Sequence, residues 1–141
     1  MEKFNQDTGH AILMAARLDV LLQQLLLHAM PLMSNGLAKD LFEKGPLGTF
    51  SAKIGLVRAM GLLDEAAYRD LCAIKAVRNL FAHAENPVRF ASPEVIDKVR
   101  KFSQWREGAD ARMLFNAAVE RSEAAIDEKV HRLLHEHATT P

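Results

Sequence analysis

The sequence predicts an all-α fold, a single helical bundle of about five to six helices, and three observations carry that reading. Ala and Leu abound while aromatics are sparse, with seven Phe, one Tyr and one Trp, a bias toward helix formers over strand formers. Apolar residues recur at spacings of three and four, and no stretch of four or more residues alternates as a half-buried strand would. Start and stop signals punctuate the chain into six segments. The length of 141 residues suits one domain, 1–141, with enough chain to bury a core. A hydrophobic fraction of 49% against 26% charged places it among globular rather than disordered chains.

The first helix is expected from about Thr8 to Met30, stopped by Pro31. Apolar residues cover most of its circumference, so it reads as a central core helix or an oligomer interface. Arg17, Asp19, Gln23, Gln24 and His28 interrupt it, which makes it too polar to span a bilayer, and no membrane role is expected. A turn at Ser34-Asn35-Gly36 leads into a short segment, Leu37 to Glu43, and then into the stiff loop GPLGT. Thr49 caps a third helix over Phe50 to Met60, and Gly61 ends it. Asp64 caps the fourth, EAAYRDLCAIKAVRNLFAH, which Asn86-Pro87 closes off. Ser92-Pro93-Glu94 gives the fifth a cap, a proline at its first position and an acid in its first turn, with Val95, Val99 and Phe102 as its apolar face. Gly108 and Asp110 introduce the last helix, to about Leu134, with Phe115, Val119, Ser122, Ile126, Val130 and Leu133 along one stripe and a flexible tail over 135–141.

Acids and bases balance at 18 each, whereas a domain that grips duplex DNA by counterion release usually carries a basic excess. Residues 46–106 hold ten bases against six acids, and both flanks are mildly acidic. That polarity suffices for a local anion site but argues weakly for a nucleic-acid groove. Strong direct DNA binding is not expected. Cys72 is the only cysteine, so no intrachain disulfide can form and multi-cysteine metal sites are excluded. The start, MEKFNQDTGH, lacks the basic-then-apolar order of a signal peptide, and a cytoplasmic location is expected.

The fourth helix concentrates the polar chemistry. On a helical wheel Leu71, Ile74, Val77 and Phe81 share a sector, with Arg78 falling between Leu71 and Ile74. Beside it runs a second stripe of Tyr68, Cys72, Lys75, Asn79 and His83. Charges at Arg69, Asp70, Lys75 and Arg78 lie all round, so the helix is expected to be buried on most sides with its polar groups partnered. Asn79 and His83 form an i, i+4 pair, and Arg78 can reach forward to share a cleft with His83. Two readings compete. In the structural one, Arg78 holds an acid of a neighbouring helix while Asn79 and His83 bridge backbone groups. In the functional one, the three form an anion or RNA site, because Arg fixes phosphate oxygens and His moves protons near neutral pH.

Two resemblances attach to these residues. GPLGTFSAKIGLVRAMGLL (45–63), followed by YRDLCAIKAVRNLFAH (68–83), resembles the core signature of the mannitol operon repressor family, over roughly 45–102 and more weakly in the first helix. Lys75 stands where that family often has Arg, and the C-terminal tail is not diagnostic. The resemblance implies an all-helical regulator that represses a sugar-alcohol operon without a recognisable helix-turn-helix, hence through a protein partner. Arg78-Asn79-x-x-x-His83 also resembles the motif of the HEPN superfamily of small helical bundles. That likeness implies metal-independent RNA cleavage at a dimer interface, with Arg78 as phosphate clamp, His83 as proton donor or acceptor and Asn79 as positioning group. Many proteins with such a string are binding modules without catalysis, so an interaction scaffold is a third reading.

The remaining candidates read more plainly. His131 and His135, an i, i+4 pair followed by His137, match divalent-metal spacing but lie near the C-terminus, where fraying loosens a site. No metal and no cofactor are expected. Lys98, Arg100, Lys101 and Arg106 read as a solvated basic face, Cys72 as a core residue, His28 as a satisfied or interface histidine, and Trp105 as a lid over the end of the core. More apolar surface on the first helix than a small bundle covers predicts a homodimer or higher oligomer.

Overall fold

The computed structural model describes residues 5–139, with side chains placed through Glu136. Six helices make up the described chain, with no strand among them. α1 spans Gln6–Ala29; α2 spans Asn35–Ala38 and runs on into a π-helical turn, Lys39–Glu43; α3 spans Phe50–Ala59, α4 Glu65–His83, α5 Pro93–Val99 and α6 Ala111–Thr139. The all-α expectation holds.

Local chemistry explains most of these ends. Asn5 caps α1 by accepting from the Thr8 N–H at 3.0 Å, two residues before the expected start. Ser34 accepts from Leu37 N–H at 3.1 Å, so Asn35 and Gly36, expected as a turn, are already helical. Thr49, Asp64 and Asp110 cap α3, α4 and α6 as their sequence positions predict, accepting from Ala52, Ala67 and Met113 N–H groups. Gly61 and Gly108 adopt left-handed φ values of 71° and 80°, which let the chain reverse before α4 and α6. The Gly45 position has no room for a Cβ, which would run into the Asp40 carbonyl oxygen; this closeness makes the GPLGT loop stiff. α5 starts where Ser92-Pro93-Glu94 predicts, with Ser92 at the N-cap position, but the Ser92 hydroxyl accepts from Arg89 N–H at 2.9 Å rather than from an N–H of the helix. α6 continues past Leu134 to Thr139, so the segment expected as a tail is helical as far as it is described.

α4 lies at the centre, packed against α1, α3, α5 and α6, while α1 and α6 pack on each other. Leu18, Leu22, Leu25 and Leu26 of α1 are completely buried, and so are Leu71, Ile74 and Val77 of α4 and Phe115, Ala118 and Ile126 of α6. Contrary to the expectation that its polar residues make it too polar to span a bilayer, α1 is long and apolar enough to do so by length and composition; its fully buried leucines pack it against α3, α4 and α6 as a core helix. The α4–α5 loop sends Phe90 inward, with ring centroids 5.1 Å from both Phe81 and Phe115. Asp7 fixes that loop from α1, accepting from Phe90 N–H at 3.0 Å and pairing with Arg112 at 2.7 Å. Val95, Val99 and Phe102 are buried as the fifth-helix pattern predicts, although Phe102 lies beyond the end of α5.

Candidate functional site

The polar residues of α4 separate into three settings. Asp70, which the wheel places between Val77 and Phe81 of the apolar sector, is 2% exposed. Its carboxylate accepts from Ser103 N–H at 2.8 Å, from the Ser103 hydroxyl at 2.9 Å and from Arg121 Nε at 3.2 Å. A buried carboxylate demands such partners, and these join α4 to α6 and to the segment after α5. The acid paired across helices is therefore Asp70, and its cation is Arg121.

Arg78, between Leu71 and Ile74 on the wheel, is only half-buried. Its Nε donates to Asn79 Oδ1 at 2.8 Å, and its guanidinium lies 5.7 Å from the centroid of the Phe50 ring. Among the described residues no acid pairs with Arg78, which corrects the expectation that it holds an acid of a neighbouring helix; the cation paired across helices here is Arg121, with Asp70 of α4. Arg69 and His83 are exposed, so α4 is less enclosed than its ring of charges implies.

Asn79 and His83 nevertheless come together. With Ala76, Leu80, Ala84 and Lys98 they line an open groove of about 360 Å³ between α4 and the α5 region. Arg78 does not line it but reaches it through Asn79. The geometry thus offers one cation in the groove, Lys98, one imidazole, and a guanidinium at one remove. Neither Asn79 nor His83 bridges a backbone group.

Tyr68 and Lys75, the other members of the stripe, face elsewhere. Lys75 Nζ donates to the Ser51 hydroxyl of α3 at 3.1 Å. Tyr68 meets Cys72, whose hydrogen bond and charge push the phenol above its ordinary tyrosine range, with partial desolvation adding to this and Arg58 opposing it. Cys72 is half-buried against the core rather than fully inside it. His28 is satisfied by the Gln24 carbonyl at 2.7 Å. Trp105 packs on the core's edge under Arg100, 5.3 Å from its ring centroid. His131 and His135 are exposed on α6, the His137 side chain lies outside the described residues, and no group of three metal-ligating side chains gathers among those described.

The family described as Mannitol repressor matches residues 7–136. The chain belongs to the mannitol repressor family. The match is wider than the 45–102 core on which the resemblance rests, taking in nearly all of α1 and α6. Transcriptional repression is the role that goes with mannitol repressor membership. No curated protein and no solved structure matches the chain.

Within this mannitol repressor fold two paired ions escaped the sequence reading, Asp70–Arg121 and the Lys53–Asp19 pair that joins α3 to α1 at 2.7 Å. The signal was available for both. Asp70 falls among apolar neighbours on the wheel of α4, as Lys53 does beside Phe50 and Val57 on that of α3. For Arg78 the expected loss is correspondingly small. Arg78→Ala forfeits one cation–π contact and one local hydrogen bond, about 1–2 kcal/mol together. His83→Ala should stay within about 0.5 kcal/mol of wild type. Urea denaturation of the two variants checks both values, and a loss of about 3 kcal/mol or more for Arg78→Ala would restore the buried-pair reading.

Proposed function

We propose that the chain represses a sugar-alcohol utilisation operon in the cytoplasm through contacts with a protein partner, rather than by reading operator bases itself. One observation carries this reading: α4, the helix entered through the tight Met60–Asp64 turn, is enclosed by α1, α3, α5 and α6. A recognition helix must lay a phosphate- and base-contacting face in the major groove, and the exposed residues of α4 (Glu65, Ala66, Arg69, Ala82 and His83) offer one full cation beside one acid. The outward side of α3 (Ser51, Gly55, Arg58 and Ala59) carries a single cation. A formal net charge of zero supplies no general attraction to phosphate. In a gel-shift assay at physiological salt, the purified chain should form no specific promoter complex with a Kd of about 10⁻⁸ M or tighter, the usual range of operator binders. Such a complex would overturn the reading.

The proposal includes self-association through α1. Gly9, Leu13, Ala16, Val20 and Gln23 follow one another at spacings of four and three, a heptad seam centred on the exposed side of α1. Leu13 and Val20 are 58% and 59% exposed on it, which supports a second copy as the covering surface. Light scattering at high micromolar concentration should give a dimer mass or more, and Val20→Glu should reduce it toward the 15.7 kDa monomer. A wild-type protein already at the monomer mass would refute this.

A ribonuclease or RNA-binding reading keeps one supporting observation, the groove that joins Asn79, His83 and Lys98. An RNase activity resistant to EDTA and lost in a well-folded His83→Ala variant would favour it over repression through protein contacts.

A further inference from the structure

The turn between α3 and α4, reversed by the left-handed Gly61, faces the outer half of α6 across a cleft of about 410 Å³. Five charged side chains line it: Arg58, Asp64, Glu128, Lys129 and Arg132. Their commitments are unequal. Arg132 pairs with Glu128 one helical turn away, at 2.5 Å. Asp64 spends one carboxylate oxygen on capping α4, 2.9 Å from Ala67 N. Arg58 makes one long bond, 3.4 Å from Nη1 to the Leu63 carbonyl, and no ion pair. Lys129 makes no hydrogen bond or ion pair among the described residues, although it is half-buried. Two cations on opposite walls, one from α3 and one from α6, thus have no direct ion-pair partner among the described residues, and the cleft carries more positive than negative side chains.

We propose that this cleft binds a small phosphate monoester that also carries hydroxyl groups. Arg58 and Lys129 supply the uncompensated charge that a phosphate dianion needs, the guanidinium with its planar donor fork and the ammonium as a compact point charge. The free carboxylate oxygens of Asp64 and Glu128 accept from hydroxyls, as acceptor-only groups do. The cavity lies within the roughly 300–1,000 Å³ of small-molecule pockets. Binding follows from the cleft's own chemistry, whereas its service as an effector site rests on the repressor reading above.

The test is calorimetric titration of the purified chain with a hexitol phosphate, the corresponding free hexitol, inorganic phosphate and a short DNA duplex. The hexitol phosphate should bind at least about tenfold more tightly than hexitol or phosphate alone. Lys129→Ala and Arg58→Ala, on separate helices and both at positions with little structural commitment, should each weaken it by about tenfold. Arg106→Ala, at a cavity elsewhere on the molecule, should leave it unchanged. Absence of binding to wild type, full affinity in both cleft variants, or preference for the duplex would each overturn the proposal. If binding and its loss in the variants hold while the hexitol phosphate leaves operon transcription unaffected, the site stands and the effector role falls.

Discussion

Replacing Asp70 with Ala should cost about 3–5 kcal/mol of folding stability, the usual effect of removing one partner from a buried ion pair. The carboxylate is 2% exposed and accepts three hydrogen bonds, so its loss strands Ser103 N–H, the Ser103 hydroxyl and the Arg121 Nε together. It also empties the space between Val77 and Phe81 on the most enclosed helix. The pair is asymmetric. Arg121 keeps 34% of its side-chain exposure against 3% for Asp70, so Arg121→Ala should cost roughly half as much, because the two Ser103 donors still hold the carboxylate. Asp70→Asn preserves an acceptor for Ser103 but turns an amide toward a cation, and should fall between the two. At about 3–4 °C per kcal/mol for a domain of this size, the Asp70→Ala melting point drops by about 9–20 °C. Thermal and urea unfolding followed by circular dichroism measure it. A loss under about 1 kcal/mol would mean that water, not Ser103 and Arg121, is the carboxylate's effective partner.

The contrast between Asp70 and Arg78 shows how far the residues of α4 could be read in advance. The helix itself was legible to the residue, because its cap, its three-and-four periodicity and the downstream proline are local signals. The apolar sector was legible too. Which charge is enclosed in that sector was not, since a wheel gives angles but not the positions of partners: Asp70 falls between Val77 and Phe81 and Arg78 between Ile74 and Leu71, yet Asp70 is buried and Arg78 only half-buried. Ser103 and Arg121 are 33 and 51 residues away in sequence, and nothing local announces them. The same limit explains the groove. Asn79 and His83 could be paired from their spacing, whereas Lys98 enters only because the α4–α5 loop, pinned by Asp7 through Phe90, folds α5 back onto α4. Where a hydroxyl chooses between neighbours, spacing also fails, as when Ser92 takes the Arg89 N–H instead of capping α5. The cleft at α6 escaped for a related reason: Arg58 and Lys129 are unremarkable surface cations until the α3–α4 turn sets them around one cavity.

The second buried cation makes a sharper comparison, because its two partners differ in access to water. Lys53 Nζ lies 2.7 Å from Asp19 Oδ1, with the lysine side chain 5% exposed and the aspartate 33%. The ammonium also sits 5.9 Å from the centroid of the Phe42 ring, a weaker contact that cannot replace a carboxylate. Asp19→Ala therefore leaves a cation in the α1–α3 interface with no counter-ion, at a cost of about 2–4 kcal/mol, the lower part of the buried-pair range because Asp19 is partly solvated. Lys53→Met removes the charge while keeping most of the chain's volume, and the aspartate it abandons can turn to solvent, so that variant should lose less than about 1.5 kcal/mol. Adding Lys53→Met to Asp19→Ala should then recover much of the single-variant loss, because the double variant holds an apolar contact where the single one holds an unpaired charge. Urea denaturation of the three variants gives a double-mutant cycle whose interaction energy should be clearly favourable to the pair, about 1 kcal/mol or more. Equal losses for the two single variants, or a double variant as weak as their sum, would show that the Lys53 ammonium reaches water without Asp19 and that α1 and α3 are held by their apolar contacts alone.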